Sequence, residues 1–211
     1  MVDADVLRYV LGSLPPAPAR VLEVGAGTGE LAAALRSARY EVVAIDPAAS
    51  TESVIALPLH ELNEPRASFD AAVAIVSMHH VEPLRRSCRV LAEVVRPGGT
   101  LVLDEIDVER FDDSAERWWL ENRPLHEVHD DHEAPVPGAV VAFLRHHCHD
   151  LTTMEDALVE GFELGPLTRG PYLYRWELGP ELRATEQELI ATGGLPAVGV
   201  RVVGTRRPVQ A

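Results

Sequence analysis

At 211 residues, with 46% apolar and 25% charged side chains, the chain has the length and balance of one ordinary globular domain with a full core. No stretch is long and apolar enough for a membrane span, and Met1 opens neither a basic run nor an apolar leader. The 33 acidic against 19 basic side chains, a formal charge of −14, count against a nucleic-acid partner, and Cys88 and Cys148 without a CxxC pair suit a reduced, cytoplasmic setting.

Asp3 or Asp5 caps a predicted helix running to Leu11, stopped by Gly12 and the Pro15-Pro16-Ala17-Pro18 linker. The stretch from Val21 to Asp46 then reads as buried strand, glycine turn, helix, and second buried strand ending in an acid. Gly25, Gly27 and Gly29 let a backbone turn sharply and approach a ligand without a Cβ in the way. Leu31, Ala34 and Leu35 recur at helical spacing, and Val42 to Ile45 is the continuous run of a strand covered on both faces. A dinucleotide site has a similar outline, but its third small residue, three places after the second glycine, is here Glu30. A carboxylate at a helix N-terminus repels a pyrophosphate.

The run Glu23-Val24-Gly25-Ala26-Gly27-Thr28-Gly29 instead resembles the first motif of class I S-adenosylmethionine (SAM)-dependent methyltransferases, of the form E/D-x-G-x-G-x-G. That resemblance implies an α/β fold: a doubly wound, Rossmann-like, seven-stranded, mostly parallel sheet with an antiparallel C-terminal strand pair. It places SAM over Gly25, Ala26, Gly27 and Gly29, with Glu23 helping to place the amino group. Asp46, followed by Pro47, would accept from both ribose hydroxyls, since two carboxylate oxygens match two adjacent donors.

Beyond Asp46 the chain departs from the family. Only Pro47 to Ser53 precedes the next predicted strand, Val54 to Leu57, too little for the usual crossover helix. The adenine edge would meet Leu59, with Glu61 as the nearest acid. The resemblance resumes at Phe69-Asp70, the strand Ala71 to Val76, and Ser77-Met78-His79-His80-Val81, similar to the LHHV stretch of many small-molecule methyltransferases. An amphipathic helix from Leu84 to Val95 stops at Pro97-Gly98-Gly99 before a strand from Thr100 to Leu103. Asp104, Glu105 and Asp107 follow at its carboxyl end, where open parallel sheets gather ligands.

The segment 108–160 reads as a helical insertion that, by the resemblance, lids the acceptor within a single domain spanning 1–211. Helices are predicted from Ser114 to about His129, from Val140 to Cys148 and from Thr152 or Thr153 to Glu160. Strand material from Phe162 to Trp176, a helix from Pro180 to Thr192 and a strand from Ala197 to Val203 close the chain.

Methyl transfer needs alignment, dehydration and, for an acceptor of high pKa, removal of one proton. His79 and His80, with Glu105, are the candidates for that chemistry, although a histidine here also serves to bond backbone or to pack. His126, His129 and His132, and then His146, His147 and His149, form two histidine groups with acids nearby. No motif accompanies them, and no metal is assigned. Trp118 and Trp119 point about 100° apart on a helix, so one enters the core while the other can face a flat acceptor beside His126. The reading is SAM-dependent methylation of an O, N or C atom of a small molecule by a chain that could form a homodimer. The rivals are a non-catalytic or repurposed SAM-binding protein and a protein-substrate methyltransferase. A nicotinamide oxidoreductase is disfavoured by Glu30, and an amide or base N-methyltransferase by the lack of an N/D-P-P-Y/F stretch after the fourth strand.

Overall fold

The buried apolar runs pair as parallel strands. In the computed structural model, which describes residues 2–123 and 138–208, β1 (Arg20–Val24) lies between β2 (Glu41–Asp46) and β4 (Phe69–Ile75). β3 (Ile55–Ala56) pairs with β2, and β5 (Val95–Ile106) with β4, all parallel. β8 (Gly199–Arg206) follows β5 and runs antiparallel to β6 (Phe162–Leu164), so the order is β3-β2-β1-β4-β5-β8-β6. An eighth short strand, β7 (Thr168–Gly170), attaches to β8 beyond the seven foreseen.

Two compact units emerge: Met1–Glu105 with Thr152–Leu167 and Arg201–Ala211, and Ile106–Leu151 with Thr168–Val200. Of the segment 108–160, residues through Leu151 fall in the second unit and those from Thr152 in the first. α6 (Leu151–Leu158) buries Met154, Ala157 and Leu158, and Gly161 just after it approaches Ala92 so closely that a Cβ there would sit 2.4 Å away. That contact assigns the end of the segment to the sheet unit.

In the sheet unit, Val21, Val42, Ala71 and Val73 share one core cluster with Val6 and Val10 of α1 (Ala4–Ser13) and Leu31 and Leu35 of α2 (Glu30–Ser37). Complete burial of a Val or Leu side chain contributes about 1.5–3 kcal/mol. Asp3 caps α1 by accepting from the Asp5 and Val6 amides, and the helix runs through Gly12 to Ser13. Tyr9 ties it to two neighbouring strands, its hydroxyl lying 3.0 Å from Leu103 O and 3.1 Å from Val202 O. Burial raises the pKa of that phenol. Arg201 donates to Asp104 and to Asp5, so Asp104 is engaged in an ion pair instead of facing a ligand. The Pro97-Gly98-Gly99 turn lies inside β5, where a register shift opposite Phe69 to Ala71 absorbs it. α3 (Leu84–Val94) ends just before.

The crossover from β2 to β3 holds no helix, as the short spacing predicts, and β3 is reduced to two residues with Ile55 53% exposed.

In the second unit, Asp112 caps α4 (Asp113–Asn122), and the buried Glu116 accepts from the Gly138 and Val140 amides at the start of α5 (Ala139–His147). The carboxylate thereby supplies acceptors that helix termini otherwise lack. The predicted strand through Trp176 breaks up instead. Glu186 of α7 (Arg183–Thr192), with no solvent exposure, collects the amides of Tyr172, Leu173 and Tyr174 and winds Leu173–Arg175 into a 3₁₀ turn. Burial raises the pKa of that carboxyl.

Candidate active site

The three glycines of the turn after β1 share one reason to be glycine and differ in what a side chain would meet. All have positive φ, at +69° for Gly25, +52° for Gly27 and +81° for Gly29. A Cβ on Gly25 would lie 2.2 Å from the Ser77 Cβ, and one on Gly29 would lie 2.8 Å from Val54 and 3.0 Å from Ser53. A Cβ on Gly27 would meet nothing within 4 Å, so the protein leaves that space open. The turn is held from below: the Gly25 and Ala26 amides both donate to Ile45 O, at 2.9 and 3.0 Å.

Asp46 closes the turn from the side. Its carboxylate accepts from Gly27 N at 2.9 Å and from Ala48 N at 2.8 Å, one oxygen to each. Each oxygen keeps a further acceptor position, because a carboxylate offers about four.

Beside these residues lies a cleft of about 470 Å³, lined among others by Val24, Gly25, Asp46, Pro47, Leu59, Val76, Ser77, His80 and Glu82. None of the described residues lining it is Arg or Lys. Its size falls within the range of small-ligand sites.

The far wall is the exit of β4. Val76 has φ +53°, an unusual conformation for a β-branched residue that costs about 1–2 kcal/mol. Its amide donates to Asp104 O at 2.8 Å, and the Ser77 hydroxyl donates to Val24 O at 2.8 Å, tying this exit to β5 and β1. Met78–His80 forms a 3₁₀ turn in which Met78 and His79 are buried and His80 is exposed. Glu105 accepts from Ser77 N and Met78 N through one oxygen and sits 2.7 Å from His79 Nδ1 through the other. The rings of His79 and His80 are 4.2 Å apart and tilted by 47°.

The cleft thus brings together Gly25, Asp46, Pro47, Leu59, Ser77 and His80. Gly27 and Gly29 shape its turn without lining it. Ala26 packs into the core, with its side chain in the cluster of Leu31 and Ala32. Met78 is fully buried and takes part through its backbone. Glu23 is 4% exposed, does not line the cleft, and has an oxygen without a partner. Burial raises its pKa to about 7 against the opposing pull of Arg36 and the Ala32 amide. Glu23 therefore sits on the α2 side of β1, near Arg36 and Ala32, and outside the cleft lining. Glu105 is likewise a buried brace and not an acid open to substrate.

Glu61 is exposed beside His60 and does not line the cleft. No residue of α1 lines it either. Trp119 is buried in the second unit, stacked on Trp176 at 4.4 Å with its Nε1 donating to Trp176 O, because the more apolar of the two helix faces turns inward. Trp118 is half-buried. Asp107 pairs with Arg169. His126, His129 and His132 lie outside the described residues. Val76 and Glu82 were missed by sequence reasoning. The signal that could find them is the register of β4, which fixes which residues lie just past its end.

The model of the methyltransferase domain family matches residues 3–133. A ubiquinone biosynthesis O-methyltransferase of Xanthomonas axonopodis pv. citri is 33% identical over 118 residues, covering 48% of each chain. The chain therefore spans about half the length of the curated relatives it matches. An S-adenosylmethionine-dependent methyltransferase of Mesorhizobium loti superposes with TM-score 0.61 at 17% identity, covering 96% of both chains. The (4+2)-cyclase SpnF superposes with TM-score 0.59 at 16% identity, covering 98% of this chain and 82% of that one. With the family match running from α1 through the cleft and beyond β5, this chain belongs to the methyltransferase domain family.

Proposed function

We propose that this chain binds SAM in the cleft and transfers its methyl group to an oxygen, nitrogen or carbon of a small molecule. The observation that carries this reading is the cleft itself: a carboxylate with spare acceptor positions beside a glycine turn that leaves open space, and no Arg or Lys among the described lining residues. Adjacent hydroxyls match the carboxylate, whereas a pyrophosphate finds no Arg or Lys among the described lining residues. A cationic ligand is suited to a lining that includes Asp46 and Glu82.

Bound SAM supplies a methyl group activated by its positive sulfonium. The chain's part is to orient, to exclude water and to take a proton from an acceptor that must lose one. Asp46 and Leu59 hold the nucleoside end, and the glycine turn borders it, with open space beyond Gly27 into which the ligand extends in this reading. His80 is the imidazole that lines the cleft and is the base in this reading. His79, buried behind it, orients rather than reacts.

A second reading, a repurposed member of the fold that binds SAM or S-adenosylhomocysteine without methylating, is favoured by the helix-free crossover and by the likeness to a cyclase. Calorimetric titration of ligand-free protein with SAM, S-adenosylhomocysteine and NADH separates the cofactor classes. Saturable binding of the sulfur nucleosides alone supports the proposal, and binding of NADH alone overturns it. An acceptor screen for methyl transfer then divides the enzyme from the repurposed protein.

Asp46→Ala is expected to weaken SAM binding by about 10- to 100-fold, the loss of one or two charge-assisted hydrogen bonds. It also removes the acceptor of Gly27 N and Ala48 N, so a stability loss of about 1 kcal/mol accompanies it. From the sequence, a carboxylate serving only a ligand would leave folding untouched. Unchanged SAM affinity in the folded variant would remove Asp46 from the site.

A further inference from the structure

Glu105 ends the sheet-unit portion of β5, is 3% exposed, and spends both carboxylate oxygens on one turn. Oε1 accepts from Ser77 N at 2.9 Å and Met78 N at 2.7 Å, and Oε2 lies 2.7 Å from His79 Nδ1. The turn it grips is the one that begins with the strained Val76 and supplies Ser77 and His80 to the cleft lining. Ser77 also abuts the glycine turn opposite, where a Cβ on Gly25 would lie 2.2 Å from its own.

We propose that Glu105 is a positioning residue of this site: it clamps the Ser77–Met78 wall in its binding shape and holds His79, the ring packed against His80, in the Nδ1–H tautomer. Two features make the clamp necessary. A β-branched residue at positive φ persists only where its surroundings over-determine it, and the buried amides of Ser77 and Met78 have their acceptor in this carboxylate. A carboxylate that accepts from Nδ1 leaves Nε2 as the ring's acceptor, the same logic by which a buried acid orients a histidine elsewhere. The binding part of the proposal rests on the cleft's reading as a SAM site, and the tautomer part does not.

The test compares wild type, Glu105→Gln, Glu105→Leu and, as a control for lost stability alone, Cys88→Ala, a buried position of α3 that does not line the cleft. Three quantities are read: S-adenosylhomocysteine affinity by calorimetry, hydrogen exchange of the Ser77 and Met78 amides without ligand, and the ¹⁵N signature of the His79 ring. Glu105→Gln keeps one carbonyl oxygen for both amides but turns an NH₂ toward the ring. It should stay within about threefold of wild-type affinity and keep the amides protected, while His79 passes to the Nε2–H form. Glu105→Leu should expose both amides to exchange and bind roughly tenfold or more weakly. Cys88→Ala should change neither.

Wild-type His79 in the Nε2–H form, amides still protected in Glu105→Leu, or Glu105→Leu binding no more weakly than Cys88→Ala would each overturn the proposal. Should Glu105→Leu fail to fold, the Glu105→Gln tautomer and exchange still decide it. If wild type bound no S-adenosylhomocysteine while exchange and tautomer behaved as stated, the SAM reading would fall and the clamp would stand.

Discussion

Gly25→Ala is expected to destabilise the protein by about 2–5 kcal/mol, a fall in Tm of roughly 5–20 °C for a chain of this size. Two effects add. An alanine at φ +69° adopts the left-handed conformation that costs L-residues about 1–2 kcal/mol. Its Cβ would also lie 2.2 Å from that of Ser77, a contact that must open by moving a turn anchored to Val24 and Glu105, at an overpacking cost of about 1–3 kcal/mol. Gly27→Ala pays only the first of these, about 1 kcal/mol, because its Cβ meets nothing within 4 Å. Thermal melts of the two variants check the contrast, and equal shifts would show that the Gly25–Ser77 contact is not as tight as described. Gly27→Val should instead act on the ligand, lowering SAM affinity far more than Gly27→Ala does.

Glu23→Gln is expected to stabilise the protein by about 3 kcal/mol above pH 7 and to leave it nearly unchanged below pH 4.5. The sign follows from burial. In the folded chain the Glu23 carboxyl is raised from 4.5 to about 7, so the folded state holds a proton that the unfolded state has already released. The stability it contributes is complete below pH 4.5, falls by about 1.4 kcal/mol per unit as the pH rises from there to about 7, and is level above. A glutamine of the same shape carries no charge to bury, so that slope should vanish from the difference between variant and wild type. Glu186, raised in the same direction, contributes equally to both proteins and cancels. Denaturant unfolding from pH 4 to 8 measures the difference. Parallel profiles would mean that Glu23 titrates normally. SAM affinity should be unaffected, since Glu23 does not line the cleft.

The contrast between Glu23 and Asp46 marks the boundary of what the motif could convey. Both acids stand at the expected places around the glycine turn, and only Asp46 reaches the cleft. Strand alternation sends Glu23 to the face covered by α2, and one-dimensional spacing does not tell which face the ligand takes. Glu105 illustrates the same limit: its place at the carboxyl end of β5 was readable, but its orientation depended on the turn after β4, far away in sequence.

Local chemistry was sufficient for the elements whose pattern is self-contained. Continuous apolar runs specify parallel strands because both faces must be covered, the glycines specify a turn because other residues resist positive φ, and the short Pro47 to Ser53 link leaves no length for a helix. The mostly parallel sheet, the glycine turn after β1 and the place of Asp46 at the end of β2 follow from these. What only the tertiary structure decided was every element shaped by a distant polar group. Glu186 winds a predicted strand into a 3₁₀ turn by collecting three amides, Glu116 caps a helix from another helix, and Glu105 bends the exit of β4 into the cleft wall. A buried carboxylate must find donors wherever the fold presents them, and those donors are neighbours in space and not in sequence.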